Sequence, residues 1–219
     1  MKSLILLLVI AFVSSESNLR NLGFKYNVDK TYSIKSFNVL GSTLAFKERV
    51  GVRNGKAFCQ LIIASNTGTK TYGISGTTSD LGKTYSIDAT ILKFSFPPIP
   101  ALQIFLIAQG SLSCSIKESS GKLSMTLVGT LYANAAIAAG VKPFHTVTVG
   151  AKGTIINLSH SYIINSNNQV SHSGKAVGGT ITVNAKGKYT DMNLFDKSYT
   201  LWNGWSVYNW LLNNNYLVY

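Results

Sequence analysis

The sequence is poor in the residues that rigidify small folds or carry catalysis. Of its 219 residues, 2 are Cys, 4 are Pro and 8 are Asp or Glu. Two cysteines cannot form the framework of a disulfide-stabilised mini-domain, so a hydrophobic core must hold the fold together. Among so few carboxylates, no pair presents itself as the acid and base of a glycosidase.

The common catalytic motifs are also absent. The chain contains no Gly-x-Ser-x-Gly, no His-Glu-x-x-His, no phosphate-binding Gly loop and no Cys-x-x-Cys. A helical apolar stripe is missing from residues 16–190. These absences predict a protein that is not an enzyme and that needs no cofactor.

Arginine is scarce although the chain is basic. The formal net charge is +12, yet only Arg20, Arg49 and Arg53 carry a guanidinium group. The lysines are scattered, which is typical of soluble β-sheet edges. They also suit attraction to an anionic polysaccharide or a membrane surface. Nucleic acid is not an expected partner, because its recognition favours arginine clusters.

The first 15 residues predict a secretory signal peptide. Lys2 precedes an apolar run from Leu4 to Val13, followed by small residues. The run is shorter than the roughly 20 residues that a membrane-spanning helix needs. We therefore expect a secreted, extracellular protein, in which residues 16–29 form a loose polar lead-in. In an oxidising compartment, Cys59 and Cys114 are predicted to form a disulfide, with two buried free thiols as the alternative.

Short segments of alternating polar and apolar residues dominate from Lys30 onwards. The clearest is Leu112–Leu127, predicted to be a hairpin that turns at residues 118–121 and sets Cys114 opposite Met125. In a second hairpin, Cys59 is expected opposite Ile74. The predicted fold is all-β and antiparallel: a hairpin-rich sandwich, barrel or elongated sheet of about ten to twelve strands.

Two short matches indicate internal repetition. The sequence KTYSI occurs at 30–34 and again at 83–87, and Cys59 and Cys114 are separated by nearly the same offset. We interpret residues 30–190 as two to three tandem units of about 50 residues, spanning roughly 30–82, 83–140 and 141–190. The units would meet face to face if the cysteines are bridged.

The apolar stretch from Ile91 to Ala108 is interrupted by prolines, which argues against a membrane span. We predict two strands joined by a proline corner, the second being either a central core strand or the wall of an apolar groove. The C-terminal segment, 191–219, contains every Trp. Helical spacing is one interpretation, but an aromatic hairpin around Asn203-Gly204, packed on the core, is favoured. The candidate apolar-ligand contacts are Leu102, Ile104, Phe105, Leu106, Trp202, Trp205 and Trp210.

Two histidines are weak candidates for metal binding. A three-residue loop after Ile164 would set His160 opposite His172 on an apolar face. No third ligand is evident from the sequence, and two ligands do not hold zinc, so no metal is expected. The same pattern points Asn157 outward, and Asn157-Leu158-Ser159 is a glycosylation sequon.

These features favour a secreted, non-enzymatic structural or adhesive protein of an extracellular coat, matrix or filament. Its expected partners are copies of itself or other coat components. The alternative is a secreted β protein that binds lipid or another apolar ligand, or that acts on membranes, through the apolar stretch and the Trp-rich segment.

Overall fold

The computed structural model describes residues 24–77, 79–139, 146–189 and 191–208, and these ranges contain strands and no helix. Accordingly, no helix capable of crossing a membrane is present among them. The predicted all-β, antiparallel fold is confirmed, with thirteen strands. They are β1 (Val28–Val39), β2 (Ser42–Arg53), β3 (Lys56–Ser65), β4 (Gly68–Gly76), β5 (Asp80–Phe96), β6 (Ile99–Ser119), β7 (Lys122–Ala139), β8 (Thr146–Lys152), β9 (Thr154–Ile164), β10 (Val170–Gly178), β11 (Ile181–Tyr189), β12 (Met192–Trp202) and β13 (Trp205–Tyr208).

The strands form three antiparallel sheets. The first sheet has the order β1-β2-β3-β4, the central sheet β13-β10-β9-β7-β6-β5, and the third sheet β12-β11-β8. The first and central sheets pack face to face, and their inward side chains belong to one continuous hydrophobic core. The first sheet consists of β1 to β4, which lie almost entirely within the predicted first unit, residues 30–82. The tandem repeat itself stays a prediction.

Turn chemistry determines where the hairpins close. Asn54-Gly55 and Ser120-Gly121 each have two consecutive positive φ angles, 53° and 72° in one and 52° and 69° in the other. That pattern is the type I′ turn, whose twist matches that of the strands it joins. The second of these turns is tighter than predicted. Cys114 therefore lies opposite Leu127 instead of Met125.

The hairpin of β3 and β4 agrees with its prediction. Ser65 pairs with Gly68 across the turn, and Cys59 pairs with Ile74. The cysteine faces inward in this register and is fully buried. The sequence pattern thus located both the turn and the side chain correctly here.

The proline-rich stretch is a corner between two strands, as predicted. β5 ends at Phe96 and β6 begins at Ile99, with a turn at Pro97-Pro98 between them. β6 lies between β5 and β7, so it is an internal strand of the central sheet. Its inward side chains are buried, whereas Phe105 and Ile107 on the other face are half-buried.

The predicted C-terminal hairpin is wrong for the described residues. β12 pairs with β11 and β13 pairs with β10, so Trp202 lies opposite Ile181 and Trp205 opposite Gly178. β12 and β13 therefore follow each other in the same direction, from the third sheet into the central sheet, without the reversal that a hairpin would require. Asn203 and Gly204 lack the positive φ angles that a type I′ turn requires.

Candidate functional site: a buried carboxylate and two histidines

Among the described residues, the one carboxylate in the core comes from β2. Along this strand Leu44, Phe46, Glu48 and Val50 alternate with partly exposed residues, and all four are fully buried. Glu48 therefore occupies a position that the strand otherwise gives to apolar side chains. A buried charge of this kind requires a partner, because the interior of the protein cannot solvate it.

The partners come from the central sheet. His160 and Tyr162 point inward from β9, and His172 points inward from β10. His172 pairs with Tyr162, and His160 pairs with Gly174, so the two histidines are offset by two residues along the strands and not opposite as predicted. Their rings still meet edge to face, with centroids 4.6 Å apart.

The offset follows from the loop between β9 and β10. It spans five residues, 165–169, instead of the predicted three. The Asn165 side chain supports this wider loop, because its Oδ1 accepts hydrogen bonds from the backbone N–H groups of Asn167 and Gln169. Adding two residues leaves every side chain on the face predicted for it.

Glu48 joins the two sheets through hydrogen bonds. Its Oε2 and Oε1 lie 2.7 Å and 2.9 Å from Nδ1 of His160. The hydroxyl of Tyr162 donates a further hydrogen bond to Oε2. Nε2 of His160, by contrast, is buried and has no hydrogen-bond partner among the described residues.

Three nearly parallel rings flank the carboxylate. His172 stacks on Tyr162 with centroids 4.4 Å apart, and Tyr32 of β1 stacks on Tyr162 at 5.5 Å. Burial raises the pKa of Tyr162 far above its ordinary value, and the charge of Glu48 raises it further. Burial also raises the pKa of Tyr32 to about 12. It lowers the pKa of His172 to about 4, with a smaller contribution from His160.

A carboxylate, two imidazoles and a phenol are acid–base groups, but this cluster is closed to solvent. Glu48 is 0% exposed, His160 2% and His172 8%. A substrate in solution cannot contact them in this conformation. The chemistry that remains is the binding of a proton or of a small ion.

The predicted disulfide is not formed in the structure: Cys59 and Cys114 are free and buried. Sγ of Cys59 donates to the carbonyl oxygen of Thr126, 3.7 Å away on the opposite sheet. Burial raises the pKa of Cys59 well above its ordinary value and that of Cys114 to about 12. Neither thiol has the lowered pKa of a reactive cysteine.

The predicted apolar-ligand residues do not form one surface. Leu102, Ile104 and Leu106 of β6 are buried in the core. Trp202 and Trp205 instead contact Phe37, with ring centroids 4.6 Å and 5.9 Å away. β13, which carries Trp205, is separated from β6 by three strands, or roughly 19 Å at the usual strand spacing. Trp210 lies outside the described residues.

The outer face of the central sheet has a different character. Asn157 points outward there, as predicted, and is exposed. Around it lies what we call the hydroxyl face, a set of outward Ser and Thr side chains on five neighbouring strands. They are Thr84, Ser86, Ser111, Ser113, Ser115, Ser124, Thr126, Thr130, Ser159, Ser161, Ser171 and Ser173.

Cross-strand hydrogen bonds organise the hydroxyl face. The hydroxyl oxygens of Thr84 and Ser113 are 2.8 Å apart, and those of Ser115 and Thr126 are 2.5 Å apart. Adjacent strands bring rows of hydroxyls about 4.8 Å apart. The face therefore presents a broad set of hydrogen-bonding groups, among which the exposed side chains of Val128 and Ile163 also point outward.

Glu48 is the site residue that sequence reasoning missed. It interrupts the apolar alternation of β2, and that interruption was the available signal, since a carboxylate at an inward position needs a partner. Its partners lie more than 100 positions away in sequence. Comparison with protein-family models, with curated proteins and with solved structures found no match.

Proposed function

We propose that this protein is a secreted, non-enzymatic adhesive or structural component of an extracellular coat or matrix. The observation that carries the proposal is the hydroxyl face, which covers five strands of the central sheet. A broad surface rich in hydroxyl groups is suited to many weak hydrogen bonds with the hydroxyls of a sugar polymer. Its partner is therefore an extracellular polysaccharide.

Two further features are in keeping with this role. The acid–base cluster around Glu48 is closed to solvent, which suits a protein without a catalytic site. Lys117 and Lys175 lie on the outer side of the central sheet at the margin of the hydroxyl face. They would add attraction to an anionic polymer, whereas the interior of the face would contact neutral sugars.

The test is retention of the purified chain on insoluble polysaccharides. Cellulose and chitin represent neutral polymers, and cross-linked alginate represents anionic ones. The double substitution Ser113→Glu with Ser161→Glu places two charges inside the hydroxyl face. The matched control, Ser36→Glu with Thr43→Glu, places the same charges on exposed positions of the first sheet.

We expect the hydroxyl-face variant to lose retention and the control to keep it. Retention on alginate alone, lost equally in both variants, would assign binding to net positive charge and not to this face. Failure to bind any of the polymers would overturn the polysaccharide role. Self-association is measured in parallel by sedimentation, since an assembly-forming coat protein would give concentration-dependent oligomers.

One observation favours membrane-surface binding as a second candidate. At the connection of β11 and β12, Tyr189, Met192 and Leu194 are 42%, 63% and 46% exposed. Lys188 lies on β11 beside them and would meet anionic head groups, whereas Lys186 is paired with Asp196. Co-sedimentation with phosphatidylserine vesicles tests it, and Met192→Glu with Leu194→Glu should abolish binding. A wild-type chain that stays in the supernatant would exclude this candidate.

A further inference from the structure

Three metal-binding side chains converge between the first and central sheets. One ligand atom from each of Glu48, His160 and His172 can be chosen so that all three lie within 4.8 Å of one another. β2 supplies the carboxylate, and β9 and β10 supply the imidazoles. The sequence offered only the two histidines, and the third ligand that it lacked is Glu48.

The donor set defines the chemical class of the ion. Two imidazoles and one carboxylate are a common ligand set for Zn²⁺ and also suit other divalent first-row transition metals. Hard cations such as Ca²⁺ prefer a shell made only of oxygen atoms.

The contact between Glu48 and His160 places two ligand atoms side by side. Oε2 of Glu48 lies 2.7 Å from Nδ1 of His160. An ion bound by both residues would take the place of the proton shared by these two atoms, so Oε2 and Nδ1 are its ligands from the first and central sheets. Both side chains are almost completely buried, and the ion would therefore be held out of solvent.

We propose that Glu48, His160 and His172 bind one divalent transition-metal ion, with Zn²⁺ as the first choice. The ion would connect β2 of the first sheet to β9 and β10 of the central sheet. Because its ligands are buried, its role would be to stabilise the packing of the two sheets and not to catalyse a reaction. This site is independent of the hydroxyl face, which lies on the opposite side of the central sheet.

The first experiment uses the full purified chain. It is unfolded in guanidinium with EDTA, refolded with or without Zn²⁺, dialysed, and analysed for metal content and thermal unfolding. We expect one bound Zn²⁺ per chain. At a free concentration a hundredfold above Kd, Zn²⁺ should raise Tm by roughly 5–10 °C. A chain that takes up none of Zn²⁺, Co²⁺, Ni²⁺ and Cu²⁺, with unchanged Tm, would overturn the proposal.

Variants then identify the ligands. His172→Gln should weaken Zn²⁺ binding at least about 100-fold, and Glu48→Gln at least about tenfold. Cys59→Ala is the control, because its thiol is buried in the same core and thiolates are strong zinc ligands. Zinc retained by His172→Gln but lost from Cys59→Ala would assign the metal to the cysteines and overturn the site.

The Co²⁺ derivative of the wild-type chain gives an answer even if a variant fails to fold. A nitrogen and oxygen ligand set gives visible ligand-field bands without the intense near-ultraviolet charge transfer of a thiolate. We expect the visible bands alone. A thiolate charge-transfer band would place the ion on Cys59 or Cys114 and contradict the proposal.

Discussion

Glu48 of β2 and His160 of β9 face each other across the interface of two sheets, with Oε2 and Nδ1 2.7 Å apart. Both side chains are almost completely buried. The pair therefore joins the first and central sheets at a point where each would otherwise present apolar groups. Such a pair contributes to specific packing only while both of its members are present.

Removing the carboxylate should be costly. We expect Glu48→Ala to lower the free energy of unfolding by about 3–5 kcal/mol in EDTA, because His160 and the Tyr162 hydroxyl lose their shared acceptor. Asp29→Ala is the matched control, since it breaks the partly exposed ion pair with Arg49 and should cost less than about 1 kcal/mol. Urea unfolding measures both variants. Equal losses of unfolding free energy in the two variants would contradict the importance of the buried pair. If Glu48→Ala does not fold, Glu48→Gln replaces it in the comparison.

The cysteines should behave as inert thiols. Burial raises the pKa of Cys114 from 9.0 to about 12, so very little of the reactive thiolate is present at pH 8. We expect a thiol-specific reagent to leave the folded chain unmodified. In guanidinium without reductant it should titrate both cysteines. Failure to detect thiols in the denatured chain would show that Cys59 and Cys114 are bridged after all.

Gly110 of β6 should not tolerate a side chain. Its φ is 158°, and a Cβ atom there would lie 2.0 Å from the carbonyl oxygen of Thr130 on β7. Because that atom belongs to the backbone of a paired strand, the two strands would have to separate. We expect Gly110→Ala to lower the free energy of unfolding by roughly several kcal/mol, as do other substitutions that force the backbone into a strained conformation. Gly82→Ala on β5 is the control, with no atom within 4 Å of the added Cβ.

The turn of the β6–β7 hairpin can be improved. Ser120 has φ of 52°, a conformation that Asn and Gly adopt more readily than Ser. We expect Ser120→Asn to raise the free energy of unfolding by about 0.5–1 kcal/mol, since it recreates the Asn-Gly pair found at 54–55. Asn54→Ser, the reverse change in the same turn type, should lower it by a similar amount. Urea unfolding measures both variants. Changes of opposite sign in the free energy of unfolding would support the type I′ turn at both positions, and changes of the same sign would contradict it.

The alternation of residues predicted which way side chains point with good accuracy. Cys59, Cys114, His160 and His172 all face inward, and Asn157 faces outward, as the sequence indicated. Alternation has a period of two, so it determines the face of a sheet but not the register, which can shift by two residues without changing any face. Both register errors, at Cys114 and at His160, are shifts of this size.

The C-terminal segment shows a limit of local reasoning. Asn203-Gly204 is a strong hairpin signal in isolation. In the fold, β10 and β11 already offer a long edge, and pairing with that edge extends two sheets at once. Trp202 and Trp205 then pack against Phe37 of β1, a residue that nothing in the local sequence identifies as their neighbour.

The sequence by itself determined the class of the fold, the inward and outward faces, the proline corner and the hairpin of β3 and β4. These depend on the local periodicity and turn chemistry of neighbouring residues. Only the tertiary structure decided which sheet each strand joins and brought Glu48 to His160 and His172. That contact spans more than 100 positions, and it forms because two sheets stack face to face, a relationship that no local pattern encodes.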